Sequence, residues 1–136
     1  MKNILVTLKD SHIIDGEKES YEITTHGAWD GEEDNYTIEY DEQYDELRGC
    51  HTKITVTNGS CVSVVRTGAF SSEMTIEKDK RHDCEYNTPY GAMIISIHAI
   101  NIKSDIIDGK GTLEMKYTIN FYGNATSMNE MIITIE

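Results

Sequence analysis

The clearest structural signal in this chain is the stretch "TKITVTNGSCVSVVRT", residues 52–67. Apolar and polar side chains alternate on both sides of Asn58-Gly59, which is the period of a β-strand with one buried face. Asn-Gly between two such runs favours a type I′ turn, in which both central residues need a positive φ angle. The stretch therefore predicts two antiparallel strands joined by a tight hairpin turn.

The same alternation recurs along the chain, interrupted by short turn segments. A further turn is predicted at Pro89, with Gly91 as a left-handed residue that follows it. Segment 91–103, "GAMIISIHAINIK", is apolar on both faces and predicts a central strand that is covered on both sides. The other predicted strands are 3–9, 20–29, 36–42, 71–78, 81–88, 112–122 and 128–136.

About ten short strands without an amphipathic helix are typical of an antiparallel meander. The two edges of such a sheet need protection, and closing the sheet into a barrel removes both of them. We therefore predict an all-β fold, a single antiparallel up-and-down β-barrel of about 8–10 strands. A β-sandwich is the alternative. A length of 136 residues fits one domain, residues 1–136.

Acidic residues outnumber basic ones, 24 to 12, which gives a formal net charge of −12. Because a phosphate backbone needs a basic face, we expect no nucleic-acid partner and no membrane partner. Nine carboxylates and no base lie between Asp30 and Glu46. We interpret this run as a solvated surface that keeps the protein soluble. Calcium binding is the alternative, although the ligand spacing of an EF-hand loop is absent.

The cysteine pattern and the N-terminal residues predict a cytoplasmic protein. The chain has three cysteines, an odd number, and none of them forms a CxxC motif. The apolar run in "MKNILVTLKDSH" is too short for a signal peptide.

Arg66 is the residue that points to a site. It shares a strand face with Val62 and Val64, so its guanidinium faces inward if those valines do. A buried arginine without a partner is very costly, so we expect a carboxylate to meet it. Glu42 is the natural candidate, because it continues the apolar face of strand 36–40. We predict an Arg66–Glu42 pair at or near one mouth of the barrel, ringed by tyrosines.

The resulting interpretation is a barrel that binds a small amphipathic or anionic ligand in or at its mouth, through the forked donor of the arginine. The alternative is a structural or protein-interaction barrel with a filled interior, in which the same pair fixes strand register. The sequence leaves the oligomeric state open. The predicted ligand-binding residues are Arg66, Glu42, Tyr40, Tyr86 and Tyr117.

Signals for an enzyme are weak. The chain has no GxSxG, HExxH or Walker motif, so we predict no catalytic residue, no metal site and no cofactor. His82 and Cys84 lie two residues apart on one strand and share a face. They form the one enzymatic alternative, as a Cys–His nucleophile pair or half of a metal site.

Several short motifs together resemble a known family. The chain is similar to the YwiB-like proteins, a bacterial family of unknown function, from about residue 3 to the C-terminus. The resemblance implies an intracellular calycin-like barrel, related in shape to lipocalins, and implies no established activity. The matching residues are Thr25-His26-Gly27, Tyr40-Asp41-Glu42, Arg66-Thr67-Gly68, Met74, Tyr86-Asn87-Thr88-Pro89-Tyr90-Gly91 and Tyr117.

Overall fold

The computed structural model describes residues 2–14, 16–42, 49–68, 71–88, 91–121 and 126–136, without the side chains of 86–88. Within these ranges the chain forms ten β-strands and no helix. No described segment is a helix that could cross a membrane. The strands are β1 (Lys2–Ile14), β2 (Glu17–Gly31), β3 (Tyr36–Asp41), β4 (Cys50–Thr57), β5 (Cys61–Gly68), β6 (Ser72–Glu77), β7 (Arg81–Thr88), β8 (Gly91–Ile107), β9 (Lys110–Phe121) and β10 (Thr126–Ile135).

All ten strands belong to one sheet, in the order β6-β5-β4-β3-β2-β1-β10-β9-β8-β7, and every ladder is antiparallel. The ladder between β1 and β10 runs from Val6 opposite Ile135 to Ile13 opposite Met128. The predicted all-β, up-and-down architecture is confirmed. The sandwich alternative is not, since one continuous sheet holds all the described strands.

The edges β6 and β7 face each other across a seam that closes the barrel only in part. The Thr75 amide donates a hydrogen bond to the Sγ atom of Cys84 at 3.4 Å. Beyond the end of β6, Lys78 forms an isolated bridge with Ala99 of β8. Among the described residues no backbone ladder joins β6 to β7, so the sheet is a nearly closed barrel.

The predicted hairpin turn between β4 and β5 is confirmed. Asn58 and Gly59 have φ angles of 52° and 65°, as a type I′ turn requires. The predicted turn at Pro89 lies outside the described residues. Gly91, which follows it, has a φ angle of 125° in the glycine-favouring region, as expected from the sequence.

Side chains of one parity on each strand fill the inside of the barrel. The inward faces predicted for the first strand, for residues 36–40 and for residues 62–66 are all buried. Much of the stability comes from removing these apolar surfaces from water. The core cluster among the described residues consists of Ile4, Val6, Leu8, Trp29, Tyr36, Ile38, Tyr40, Ile54, Val56, Val62, Val64, Met74, Ile76, Ile95, Ile97, Ala99, Ile102, Ile106, Leu113, Met115, Tyr117, Met131, Ile133 and Ile135.

The prediction that segment 91–103 is covered on both sides is wrong. Ile94 and Ile100 of β8 are 56% and 46% exposed, because no second layer lies outside the barrel at these positions. A β-bulge between Ala99 and Asn101 changes which parity faces inward. Within β8, the buried apolar residues have odd numbers up to Ala99 and even numbers from Ile102 to Ile106. The bulge moves Ile102 to the parity opposite to Ile95 and Ile97, and together with the exposed isoleucines it makes the strand look apolar on both faces in the sequence.

Candidate functional site

A row of paired residues crosses five adjacent strands near one end of the barrel. The register places Gly27 opposite Tyr40, Tyr40 opposite Thr52, Thr52 opposite Arg66, and Arg66 opposite Ser72. Alternation along each strand directs these positions inward. The row thus contains one cation and three hydroxyl groups at the end where β3 and β5 finish.

Arg66 lies near the end of β5 and is buried, with 7% of its surface exposed. Its Nε atom is buried and has no hydrogen-bond partner among the described residues. Gly68 ends the strand with a φ angle of 114°, and a Cβ atom there would collide with the Gly49 carbonyl oxygen. This close approach fixes β5 against the start of β4. The inward guanidinium of Arg66, with its unpaired Nε donor, therefore belongs to a strand whose end is closely packed against β4.

Glu42 is the first residue after β3, and its amide donates a hydrogen bond to the Cys50 carbonyl at 2.8 Å. It is buried, with 7% exposed. Burial raises the pKa of the Glu42 carboxyl above its ordinary value, although the Arg66 charge and a hydrogen bond from Tyr40 both lower it. The Arg66 charge therefore favours the ionised form of Glu42, but no salt bridge or hydrogen bond joins these two described side chains, and their predicted pairing stays a prediction.

Thr52 and Tyr40 supply hydroxyl groups next to this pair of charges. The Thr52 hydroxyl is near enough to favour the ionised form of Glu42, but it makes no hydrogen bond of ordinary length to a described residue. Burial, followed by the negative charge of Glu42, raises the pKa of Tyr40 above its usual value. Tyr40 is accordingly protonated at neutral pH and acts as a hydrogen-bond donor.

Asp10 and Tyr21 extend the site onto β1 and β2, and the sequence analysis did not select them. The Tyr21 hydroxyl donates a hydrogen bond to Asp10 Oδ2 at 3.3 Å. Burial raises the pKa of Asp10, against the lowering effects of His12, Tyr21 and Arg66. Burial and then the Asp10 charge raise the pKa of Tyr21 as well. We call the six residues Asp10, Tyr21, Tyr40, Glu42, Thr52 and Arg66 the Arg66 cluster.

The remaining two predicted site residues lie in β9 and β7, which follow β1 and β10 in the strand order of the sheet. Tyr117 is a buried core residue of β9, opposite Ala99 in register. Tyr86 lies in β7 opposite Met93, and its side chain is outside the description. Of the predicted ring of three tyrosines, Tyr40 belongs to the Arg66 cluster, together with the unpredicted Tyr21, and the places of Tyr86 and Tyr117 in that ring stay predictions.

His82 and Cys84, the enzymatic alternative, each have a separate partner. His82 Nε2 lies 3.0 Å from Glu77 Oε1, while Cys84 Sγ accepts the Thr75 amide hydrogen bond at the seam. Both side chains are partly exposed. These contacts engage the two residues in linking β6 to β7.

One surface cavity, of about 520 Å³, lies on the outer face of β1–β4. Within it, His51 is held between Asp41 at 2.9 Å from Nδ1 and Glu39 at 3.2 Å from Nε2. The two ring nitrogens therefore point to two different carboxylates and do not converge on one position. Two further cavities, of about 180 and 350 Å³, adjoin the turn between the end of β1 and the start of β2.

These features define a nearly closed antiparallel β-barrel with a polar cluster at one end, in which Arg66, Glu42, Tyr40 and Thr52 are buried and Tyr21 is 47% exposed. The chain belongs to the family described as domain of unknown function DUF1934, whose profile matches residues 6–133. The crystal structure of the ywiB protein from Bacillus subtilis is similar to it, with a TM-score of 0.85 and 23% sequence identity. That match covers 98% of this chain and 90% of the other. The predicted resemblance to YwiB-like proteins is confirmed, and the structural match shows a shared fold. No curated protein matches the chain.

Proposed function

We propose that this protein binds a small anion, or the anionic head group of a small ligand, at the Arg66 cluster. The observation that carries the proposal is the pair of unsatisfied polar atoms in neighbouring positions of one row. Arg66 Nε and Thr52 Oγ1 are two of the four buried side-chain nitrogen or oxygen atoms without a partner among the described residues. Arg66 and Thr52 are directly opposite in the β4–β5 ladder.

An unpaired buried donor is costly, about 1–3 kcal/mol, and proteins rarely keep one without a reason. A bound anion would accept the Arg66 Nε–H and a hydroxyl hydrogen from Thr52. A guanidinium presents its donors in a planar fork that suits carboxylate-like oxygens. Of the charged residues in the Arg66 cluster, Arg66 is the only cation, so an anion has one clear place to bind.

The core favours binding at the end of the barrel over binding deep inside it. Below the row, the space between the strands is occupied by the apolar core cluster. The three surface cavities described above are lined mainly by outward-facing residues or by residues near the turn between β1 and β2. We therefore assign the charged group of the ligand to the Arg66 cluster and expect no long apolar tail within the barrel.

An NMR titration tests this function directly, because the arginine Nε–H groups give their own signals in a ¹H–¹⁵N spectrum. Acetate and nitrate should shift the Arg66 Nε–H signal and the Thr52 amide signal in a saturable way. Arg66→Lys keeps the charge but removes the Nε donor, so it should weaken acetate binding about tenfold or more. Arg81→Lys is the matched control, since Arg81 is an exposed arginine on β7.

The alternative function, a structural barrel in which Arg66 and Glu42 only fix strand register, makes a different prediction. In that case no anion shifts the Arg66 Nε–H signal, and Arg66→Lys alters only the free energy of unfolding. Shifts that persist unchanged at Thr52 in Arg66→Lys would also overturn the assignment of the site.

A further inference from the structure

We propose that the cavity between Ile13 and Met128 binds a small monocarboxylate, with its hydrocarbon chain on these two side chains and its carboxylate beside two lysines. The cavity lies on the outer face of the barrel, on the opposite side of the sheet from the inward-facing Arg66 cluster, and its ligand is independent of the proposed function. Its volume is about 180 Å³. Pockets for drug-sized ligands measure about 300–1,000 Å³, so this one suits a short hydrocarbon chain. We call it the Ile13 cavity.

The apolar floor of the Ile13 cavity consists of two neighbouring exposed side chains. Ile13 of β1 lies directly opposite Met128 of β10 in the ladder, and the two residues are 42% and 51% exposed. A single exposed apolar side chain is ordinary, whereas two that adjoin each other at a cavity indicate a surface that a ligand covers. The flexible thioether of Met128 can adapt to the shape of a hydrocarbon chain. A chain laid across both residues removes apolar surface from water, which favours binding.

Two lysines stand on opposite sides of this floor. Lys18 of β2 is opposite Ile13 in the β1–β2 ladder, and Lys116 of β9 is opposite Glu130 of β10. The charged side chains that line the cavity are these two lysines and Glu130, a formal net charge of +1 in a protein whose total is −12. One carboxylate neutralises this local charge, and the rest of the protein repels anions of higher charge. The cavity therefore favours a monoanion.

Both ammonium groups are available to a ligand. Lys116 Nζ lies 3.5 Å from Glu130 Oε2, and these side chains are 60% and 43% exposed. An exposed ion pair of this kind contributes little, so Lys116 can turn towards a carboxylate at small cost. Lys18 is exposed as well. The stem of a lysine packs along apolar surface while its ammonium group stays in water, which suits a ligand with an apolar chain and a charged end.

The acidic side chains of the same hairpin face the other way. Alternation along β2 places Glu17 and Glu19 on the face opposite to Lys18. They border a different cavity, together with His12. The two faces of the hairpin thus differ in charge, and the one that carries Ile13 is the face suited to an anion.

Octanoate is the probe that tests this site, in an NMR titration that follows the methyl signals of Ile13 and Met128. Both signals should shift in a saturable way. The affinity should fall at least twofold with each methylene removed, from octanoate through hexanoate to butyrate, because a fully buried methylene is worth about fourfold. Octylammonium carries the same chain with the opposite charge, and it should bind this cavity at least about fivefold more weakly than octanoate.

Two variants separate the chain contact from the charge contact. Ile13→Thr keeps a β-branched side chain that suits a strand and should weaken octanoate binding about fivefold. Lys18→Gln should weaken it about threefold. The matched controls are Ile107→Thr, at a 57% exposed position at the end of β8, and Lys53→Gln, at an exposed position of β4. Both controls should bind octanoate with wild-type affinity. All four positions are exposed or half-exposed, so we expect the variants to fold.

Octanoate that leaves the Ile13 and Met128 signals unshifted would overturn this inference, and so would wild-type affinity in Ile13→Thr and Lys18→Gln. Equal binding of octanoate and octylammonium would show contact without charge selection and would also overturn it. Methyl signals that change with protein concentration in the absence of octanoate would show that a second copy covers the cavity, which overturns the assignment to a small ligand. The Arg66 Nε–H signal, read with acetate in a separate titration, tests the proposed function alone.

Discussion

His51 lies on the outer face of the barrel between two carboxylates, and both favour the charged form of its imidazole. Hydrogen bonds to Asp41 and then to Glu39 raise the pKa of its imidazole above the ordinary value of 6.5. A pKa raised by folding stabilises the native state below the unfolded pKa, and this contribution is lost as the pH rises through the folded pKa. His51 therefore contributes fully below about pH 6.5 and progressively less above it.

We expect His51→Gln to flatten the pH dependence of the free energy of unfolding between about pH 6.5 and pH 8. Urea denaturation at several pH values measures it. Because the His51 side chain is 45% exposed, the effect is reduced by solvent screening. His98→Gln is the control, on an exposed position of β8. Parallel pH curves for the wild-type and His51→Gln proteins would contradict this account.

The inward direction of Arg66 could be predicted from the sequence, because strand alternation is a local property. Asp10 carries the same signal, since it continues the parity of Ile4, Val6 and Leu8. A single acidic residue at the end of an apolar run is equally typical of the start of a turn, so it was not selected. The unpaired state of Arg66 Nε depends on side chains from several strands and has no signature in the sequence.

Among the elements, the β6–β7 seam depends on a side chain where other strand pairs depend on backbone. The Cys84 sulfur accepts the Thr75 amide hydrogen at 3.4 Å, in place of a ladder carbonyl. Cys84 also packs against the core cluster. The seam is therefore the place where we expect the barrel to open most easily.

Cys84→Ala should speed amide hydrogen exchange at Thr75 and lower the free energy of unfolding by roughly 0.5–1.5 kcal/mol, because it removes the acceptor. Cys84→Ser keeps an acceptor and should preserve most of the protection at Thr75. Cys61→Ala, on the neighbouring strand β5, is the control. Unchanged exchange at Thr75 in Cys84→Ala would show that the sulfur does not hold the seam.

Strand β8 shows where prediction from the sequence fails at this scale. One additional residue at the bulge shifts the inward parity, and Ile94 and Ile100 occupy exposed positions, so the segment is indistinguishable in sequence from a strand buried on both faces. The β4–β5 hairpin shows the opposite case, because its Asn58-Gly59 turn chemistry is contained within four residues. Local turn signals can be recognised in the sequence, whereas a change of strand register cannot.

For the whole molecule, the apolar core cluster leads us to expect that only the head group of a ligand would be bound. Each methylene group that becomes buried would add about 0.8 kcal/mol of binding free energy, which is about fourfold in affinity. We expect hexanoate to bind the Arg66 cluster within about threefold of acetate, because the inward side chains below the cluster are the large apolar residues of the core cluster.

The titration of the Arg66 Nε–H signal measures this comparison, with hexanol as a control that has the chain without the charge. Hexanol should leave the signal unchanged. A steady gain in affinity from acetate through butyrate to hexanoate would contradict a filled interior and would indicate an apolar channel that begins at Arg66.

The all-β class and the up-and-down order could be predicted because most neighbours in the sheet are neighbours in the chain. The sequence favoured the barrel over the sandwich only through the general need to protect sheet edges, since the pairing of β1 with β10 that closes the sheet has no local signal. That ladder joins Val6 to Ile135, residues at opposite ends of the described chain. No local signal specifies a contact of this separation.

The β1–β10 ladder has a consequence for how the protein is made. Among the described residues it is the only backbone ladder between the meander β1–β6 and the meander β7–β10. On the ribosome, β1 emerges early, but its partner, residues 126–135, emerges after the other eight strands. The nascent chain must therefore keep the unpaired edge of β1 from pairing with other chains for most of its synthesis. Such long-range closure is also a slow step in folding, and β1 can pair with β10 only after the strands between them have been made.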